Sequence, residues 1–112
     1  MNIQFKKGVL ELCVLSILSQ KDCYGYDIVH NISESVKVSG GTIYPMLRRL
    51  IKEGYFTTYV QSSNEGPSRK YYHLTELGHQ KKVDLEKEWG RLVGGVNHLI
   101  EGSDAKCLEK NS

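Results

Sequence analysis

Residues 39–55 read SGGTIYPMLRRLIKEGY, and how this stretch folds decides the architecture of the chain. Ile43, Leu47, Leu50 and Ile51 stand at i, i+4, i+7 and i+8, the spacing of one helix face. The spacing predicts a helix from about Ser39 to Lys52, stopped by Gly54. Ser39 and Thr42 are both candidate N-caps. Pro45 belongs in a first turn, where its missing N–H leaves no bond unmade; with Ser39 as the cap it should kink or loosen the turn it occupies. The side away from the apolar stripe carries Thr42, Tyr44, Pro45, Arg48, Arg49 and Lys52.

Working upstream, residues 5–19 are expected to be helical and are apolar nearly all round, from Val9 and Leu10 through Leu12, Cys13, Val14 and Leu15 to Ile17 and Leu18. Such a helix must be covered on every side, including by something beyond the compact core. Asp22 or Cys23 precedes a second helix from Tyr24 to about Val36, with Ile28, Val29 and Ile32 at helical spacing. Downstream of Gly54 the period switches to strand over residues 55–60 (YFTTYV), aromatic and β-branched. Residues 61–68 form a long polar tip, and residues 69–74 (RKYYHL) return as the second strand of a hairpin. Thr75 caps a last helix to about Ile100, whose Leu85, Trp89, Leu92, Val96 and Leu99 repeat at 4-3-4-3, the seam of a helix packed along another helix.

Helix, helix, helix, strand, loop, strand, helix is the order of a winged helix-turn-helix with an added helix. The expected fold class is mainly α with a small β-hairpin (α+β). The winged helix-turn-helix occupies 1–74, a C-terminal dimerisation helix 75–101, and a disordered tail 102–112.

The 112 residues are 39% hydrophobic and 25% charged, a composition of one globular domain. No run approaches the ~20 apolar residues of a membrane-spanning helix, and no small-residue cleavage site follows the basic start, so a soluble cytoplasmic protein is expected. Cys13, Cys23 and Cys107 are too unevenly spaced for a disulfide framework or a zinc ribbon, and the four histidines show no ligand spacing. No metal, cofactor or enzymatic activity is expected. Charge is segregated: residues 37–82 carry eight Lys or Arg against three Asp or Glu, while both flanks have more acids than bases. A central basic block of this kind is the footprint of a polyanion-binding surface.

Double-stranded DNA is therefore the expected partner. Arginine on the third helix suits guanine edges, hydroxyls and Lys52 suit phosphates, and Arg69 and Lys70 follow the bend at Gly66-Pro67-Ser68. Two rivals are a winged-helix protein-interaction module and a small-molecule receptor with weak DNA binding. Salt-dependent retention on duplex DNA separates the first, and ligand-linked loss of operator affinity the second.

The segments YGYDI (24–28), SGGTIYPMLRRLIKEGY (39–55) and GPSRKYYHLTELGHQ (66–80) resemble the PadR family of bacterial transcriptional regulators over roughly residues 8–100. The resemblance implies a homodimeric winged-helix repressor on an inverted-repeat operator, paired through Leu85, Trp89, Leu92, Val96 and Leu99 with help from the first helix. The DNA-binding set becomes Tyr26, Ser39, Thr42, Tyr44, Pro45, Arg48, Arg49, Lys52, Arg69 and Lys70. The short C-terminal part is similar to the subfamily containing multidrug-responsive repressors, in which a tryptophan lines a flat pore between subunits. Here Trp89 matches that place, and Phe5, Gly8, Leu12 and Ser16 of the first helix would complete a site for a planar aromatic effector.

Overall fold

The computed structural model describes residues 3–63 and 66–102, with side chains from residue 7 onward except that of Ser63. Four helices and three short strands follow in the order α1 (Ile3–Gln20), β1 (Cys23–Tyr24), α2 (Gly25–Ser33), α3 (Gly40–Lys52), β2 (Phe56–Ser63), β3 (Gly66–Leu74) and α4 (Glu76–Glu101). The sheet is antiparallel in the order β1-β3-β2. The tail expected beyond Gly102 and the side chain of Phe5 lie outside the described residues.

The core is assembled from one face of every element. Leu10, Val14, Leu15 and Leu18 of α1 meet Ile28 and Ile32 of α2, Ile43, Met46, Leu47 and Leu50 of α3, and Phe56, Tyr72 and Leu74 of the hairpin. None of the described polar or charged residues is buried. The apolar excess of α1 is absorbed partly by α4, which lies along it, so the last helix of the same chain supplies some of the cover the sequence demands.

The ends of the elements follow from local chemistry. Gly54, at φ 88°, closes α3: its N–H donates to the Ile51 carbonyl and that of Tyr55 to the Leu50 carbonyl. This paired arrangement needs a left-handed residue after the cap. Ser39 is the N-cap of α3 by backbone geometry, although its side chain makes no capping bond. Pro45 therefore sits in the second turn, and the carbonyl of Gly41 loses its usual donor. Both residues are exposed, so water can satisfy that carbonyl. Thr75 caps α4 as expected: its Oγ1 accepts from the Gly78 N–H at 3.1 Å and donates to the Gly54 carbonyl at 2.7 Å. That hydroxyl ties the start of α4 to the end of α3.

Three expectations are corrected. Residues 23–24 form a strand, pairing Cys23 with Tyr72 and Tyr24 with Tyr71, and α2 starts after them with no side-chain cap. That helix also ends at Ser33, with Glu34 as its C-cap, short of the expected end near Val36. The hairpin tip is short, since β2 runs to Ser63 and β3 starts at Gly66, with an irregular register between Gln61 and Ser63. Pro67 is tolerated beside that irregularity, at the end of β3 where β1 does not reach.

Candidate nucleic-acid interface

On α3 the buried face is Ile43, Met46, Leu47 and Leu50, so the exposed face is fixed by subtraction. Tyr44, Arg48 and Lys52 lie at i, i+4 and i+8, one row along that face, with Pro45 beside it. The Tyr44 ring is seated by two glycines at helix starts. A Cβ on Gly25 would stand 2.8 Å from Tyr44 Cε1, and one on Gly40 would stand 3.0 Å from Cε2. The absence of side chains there lets the ring lie across the first turns of α2 and α3. Arg48 and Lys52 have no ion-pair partner among the described residues, leaving two cations free on the row.

The wing divides its two basic residues between faces, because neighbouring strand residues point to opposite sides. Lys70 Nζ lies 5.8 Å from the Tyr72 ring centroid. Burial raises the pKa of the Tyr72 phenol, with Tyr44 adding to the rise and Arg48 opposing it, so Tyr72 links Lys70 to the α3 row. Arg69 lies on the other face, its guanidinium carbon 4.7 Å from the Tyr24 ring centroid. Tyr24 continues a line of rings through Tyr26 to His30 on one side and through Tyr71 to Tyr59 on the other. Tyr59 ends it by donating to Asp22 Oδ2 at 2.7 Å, and His73 Nδ1 lies 2.9 Å from Oδ1. These hydrogen bonds hold the Asp22 carboxyl below the usual carboxylate range.

The expected DNA-facing set is thus partly brought together. Tyr44, Pro45, Arg48 and Lys52 share one face with Lys70 near it, Thr42 is exposed at its edge, and Ser39 is exposed at the helix start. Tyr26 and Arg69 belong to the aromatic face instead. Arg49 stands apart from that row: Nη2 donates to Glu11 Oε2 at 2.6 Å and Nη1 to Glu53 Oε1 at 3.0 Å, so its guanidinium is engaged by two carboxylates of this chain. Burial works against the Arg49 charge, but the bonds from both carboxylates outweigh it and raise the pKa. Arg48 and Arg49 look alike in sequence; only the position of Glu11 across the fold distinguishes them. The ring line of Tyr24, Tyr71 and Tyr59 carries no periodic signal in the sequence, because the two-residue β1 is too short to show a period and the line forms only once β1 and β2 flank β3.

The expected effector and dimer residues also separate. A groove of about 310 Å³ between α1 and α4 is lined by Gly8, Val9, Leu12, Leu85, Glu88, Trp89 and Leu92, which unites Trp89 with Gly8 and Leu12. Ser16 lies outside this groove, in a neighbouring hollow between α1 and α2 that Leu12 also borders, with Cys13, Asn31 and Val36. Leu85 is half-buried against its own core. Trp89, Leu92, Val96 and Leu99 remain exposed along α4. Among the described residues there is no cluster of three metal-ligating side chains, and no helix is long and apolar enough to cross a membrane.

The sequence model of the PadR-like family of transcriptional regulators matches residues 14–83, from the middle of α1 through the wing into α4. The chain belongs to that family. A PadR-like transcriptional regulator from Bacillus cereus is 39% identical, with a TM-score of 0.81 over 89% of this chain and 99% of its own. A Streptococcus mutans protein is 38% identical, with a TM-score of 0.83 over 90% of this chain and 94% of its own. The negative transcriptional regulator PadR of Bacillus subtilis, solved in complex with operator DNA, is 30% identical, with a TM-score of 0.62 over 68% of this chain. This PadR-like chain spans 44% of the Bacillus subtilis protein's length. Its winged helix-turn-helix, with four helices and a three-stranded antiparallel sheet, is the arrangement of these relatives.

Proposed function

We propose that this PadR-like regulator is a sequence-specific double-stranded DNA-binding repressor that acts in the cytoplasm as a homodimer on an inverted-repeat operator. In this reading residues 1–74 bind DNA and residues 75–101 pair the protomers. The observation that carries it is the row of Tyr44, Arg48 and Lys52 on α3, with two unpaired cations and Lys70 of the wing nearby. Arginine on such a row matches guanine edges bidentately, whereas Lys52, Lys70 and the Tyr44 hydroxyl suit phosphates. Ser39, Thr42 and Pro45 border this contact, and Tyr26 and Arg69 supply its outer edge from the aromatic face. The relative solved on operator DNA supports the ligand class, and its description as a negative regulator supports repression.

Two copies of α3 in a symmetric dimer ask for half-sites about one helical turn, ~34 Å, apart. The groove holding Trp89 and Leu12 is the place for a planar aromatic effector. Selection of bound duplexes from random DNA, followed by titration across salt, tests the reading. Arg48→Ala should lose more affinity for the selected duplex than for unrelated DNA, by about 1–3 kcal/mol. Lys52→Ala and Lys70→Ala should weaken all duplexes alike and flatten the salt dependence. Unchanged binding in all three would refute the assignment of this face.

A further inference from the structure

Arg49 leaves α3 on the flank turned toward α1, where the Glu11 carboxylate accepts from it at 2.6 Å. The Glu11 side chain is 13% exposed and that of Arg49 31%, so solvent reaches little of the contact. The second prong, to Glu53 at the end of α3, fixes the plane of the guanidinium. Among the described residues this is the one side-chain hydrogen bond joining α1 to α3. Besides this bond, α3 is held by the apolar packing of Ile43, Met46, Leu47 and Leu50, by the Tyr44 ring against Gly25, and at its far end by the Thr75 hydroxyl on the Gly54 carbonyl. That packing fixes which face α3 turns to the core, while the hydrophobic effect itself has no direction, so the finer angle of the helix falls to directed contacts. A two-pronged guanidinium has a fixed fork geometry and supplies the missing direction. Arg49 is rigidly related to the Tyr44–Arg48–Lys52 row by the helix itself, so orienting one orients the other.

We propose that Glu11 and Arg49 are a positioning pair, through which α1 sets the angle at which α3 offers Arg48 and Lys52 to DNA, and that Arg49 touches no DNA. The inference rests on the DNA-binding reading above. Releasing Arg49 to a phosphate would strand the shielded Glu11 carboxylate without its partner, and a lone shielded charge is the costly half of that exchange.

The test uses the full chain, the duplex selected from random DNA, and amide hydrogen exchange of the free protein. Glu11→Gln removes the charge with little change of shape, at a residue of α1 that is not part of the exposed row. It should weaken specific binding by about tenfold, leave the salt slope unchanged, and speed exchange in α3 while α1 stays protected. Arg49→Lys, which keeps the charge but not the fork, should behave the same way. The exchanged pair Glu11→Arg with Arg49→Glu should bind more tightly than Arg49→Glu alone. The proposal is overturned if Glu11→Gln matches the wild type in affinity and in α3 exchange. It is equally overturned if Arg49→Lys retains full affinity, or if the exchanged pair gains nothing. Wild-type protein that retains no duplex at all would instead sink the DNA-binding reading, and this inference with it.

Discussion

Asp22 shows how one side chain can serve an end the sequence pattern does not announce. It stands just before the second helix in sequence, yet its two oxygens are taken by the Tyr59 hydroxyl and the His73 ring across the sheet. Its carboxyl pKa is lowered, chiefly by the Tyr59 bond and then by His73, so the sign of its contribution is set. Above the ordinary aspartate value of about 3.9 it is ionised in both states and its bonds count in full. As pH falls below that value the unfolded chain takes up the proton first, and the contribution drains away until the folded carboxyl is protonated too. Thermal unfolding of the wild type and Asp22→Asn should therefore differ at neutral pH and converge in acid; parallel curves would contradict the role. Arg48 and Arg49 carry the same lesson for function. Adjacent, identical side chains diverge because one meets Glu11 and the other meets solvent.

At the scale of elements, the junction of α3, β2 and α4 is held by groups that admit little change. Gly78 is buried in the first turn of α4, and a Cβ there would run into the Tyr55 carbonyl oxygen and the Leu74 side chain. Gly78→Ala should cost about 1–3 kcal/mol, as overpacking against backbone does, and lower the unfolding midpoint accordingly. Gly54→Ala forces a Cβ into the left-handed region and should cost about 1–2 kcal/mol, visible in the same melts. A midpoint unmoved in either variant would refute the packing described. The long elements here were legible from residues alone. The stripe of Ile43, Leu47 and Leu50, the cap at Thr75 and the stop at Gly54 each carry a local signal, and the structure places them as expected. Strand β1 was not legible, because Cys23 and Tyr24 become a strand only when β3 lies beside them. Met46 was missed from the core for a related reason: it falls outside the i, i+4, i+7 stripe but borders it on the curved helix surface. The hairpin tip was misjudged because Ser, Asn and Gly composition signals a loop even where backbone pairing continues.

At the scale of the whole molecule, the second half of α4 carries an uncovered apolar stripe among the described residues, where Leu92 is 46%, Leu99 69% and Ile100 75% exposed. A second copy related by a two-fold axis covers such a stripe with itself. Leu92→Asp would then bury an unpaired charge, costing about 3–5 kcal/mol of association. Sedimentation should change from dimer to monomer at micromolar concentration, and a wild type that sediments as a monomer would end the dimer reading outright. Trp89 connects this stripe to the groove shared with Leu12 and Gly8. It is the single tryptophan of the chain, so its emission reports on that place without interference. A planar cationic aromatic dye stacking on the indole face should quench the emission. If the site is completed by the partner's helix, quenching should follow the dimer, saturating in the wild type and fading in Leu92→Asp. Quenching alone does not make the dye an effector. It alters operator affinity only if it binds better to one spacing of the two α3 helices than to the other. Titrating operator at saturating dye separates the cases. A changed Kd marks Trp89 as part of a switch, and quenching with an unchanged Kd marks a pocket that binds without regulating. No quenching in a dimer that binds DNA would leave Trp89 as a packing residue of the seam.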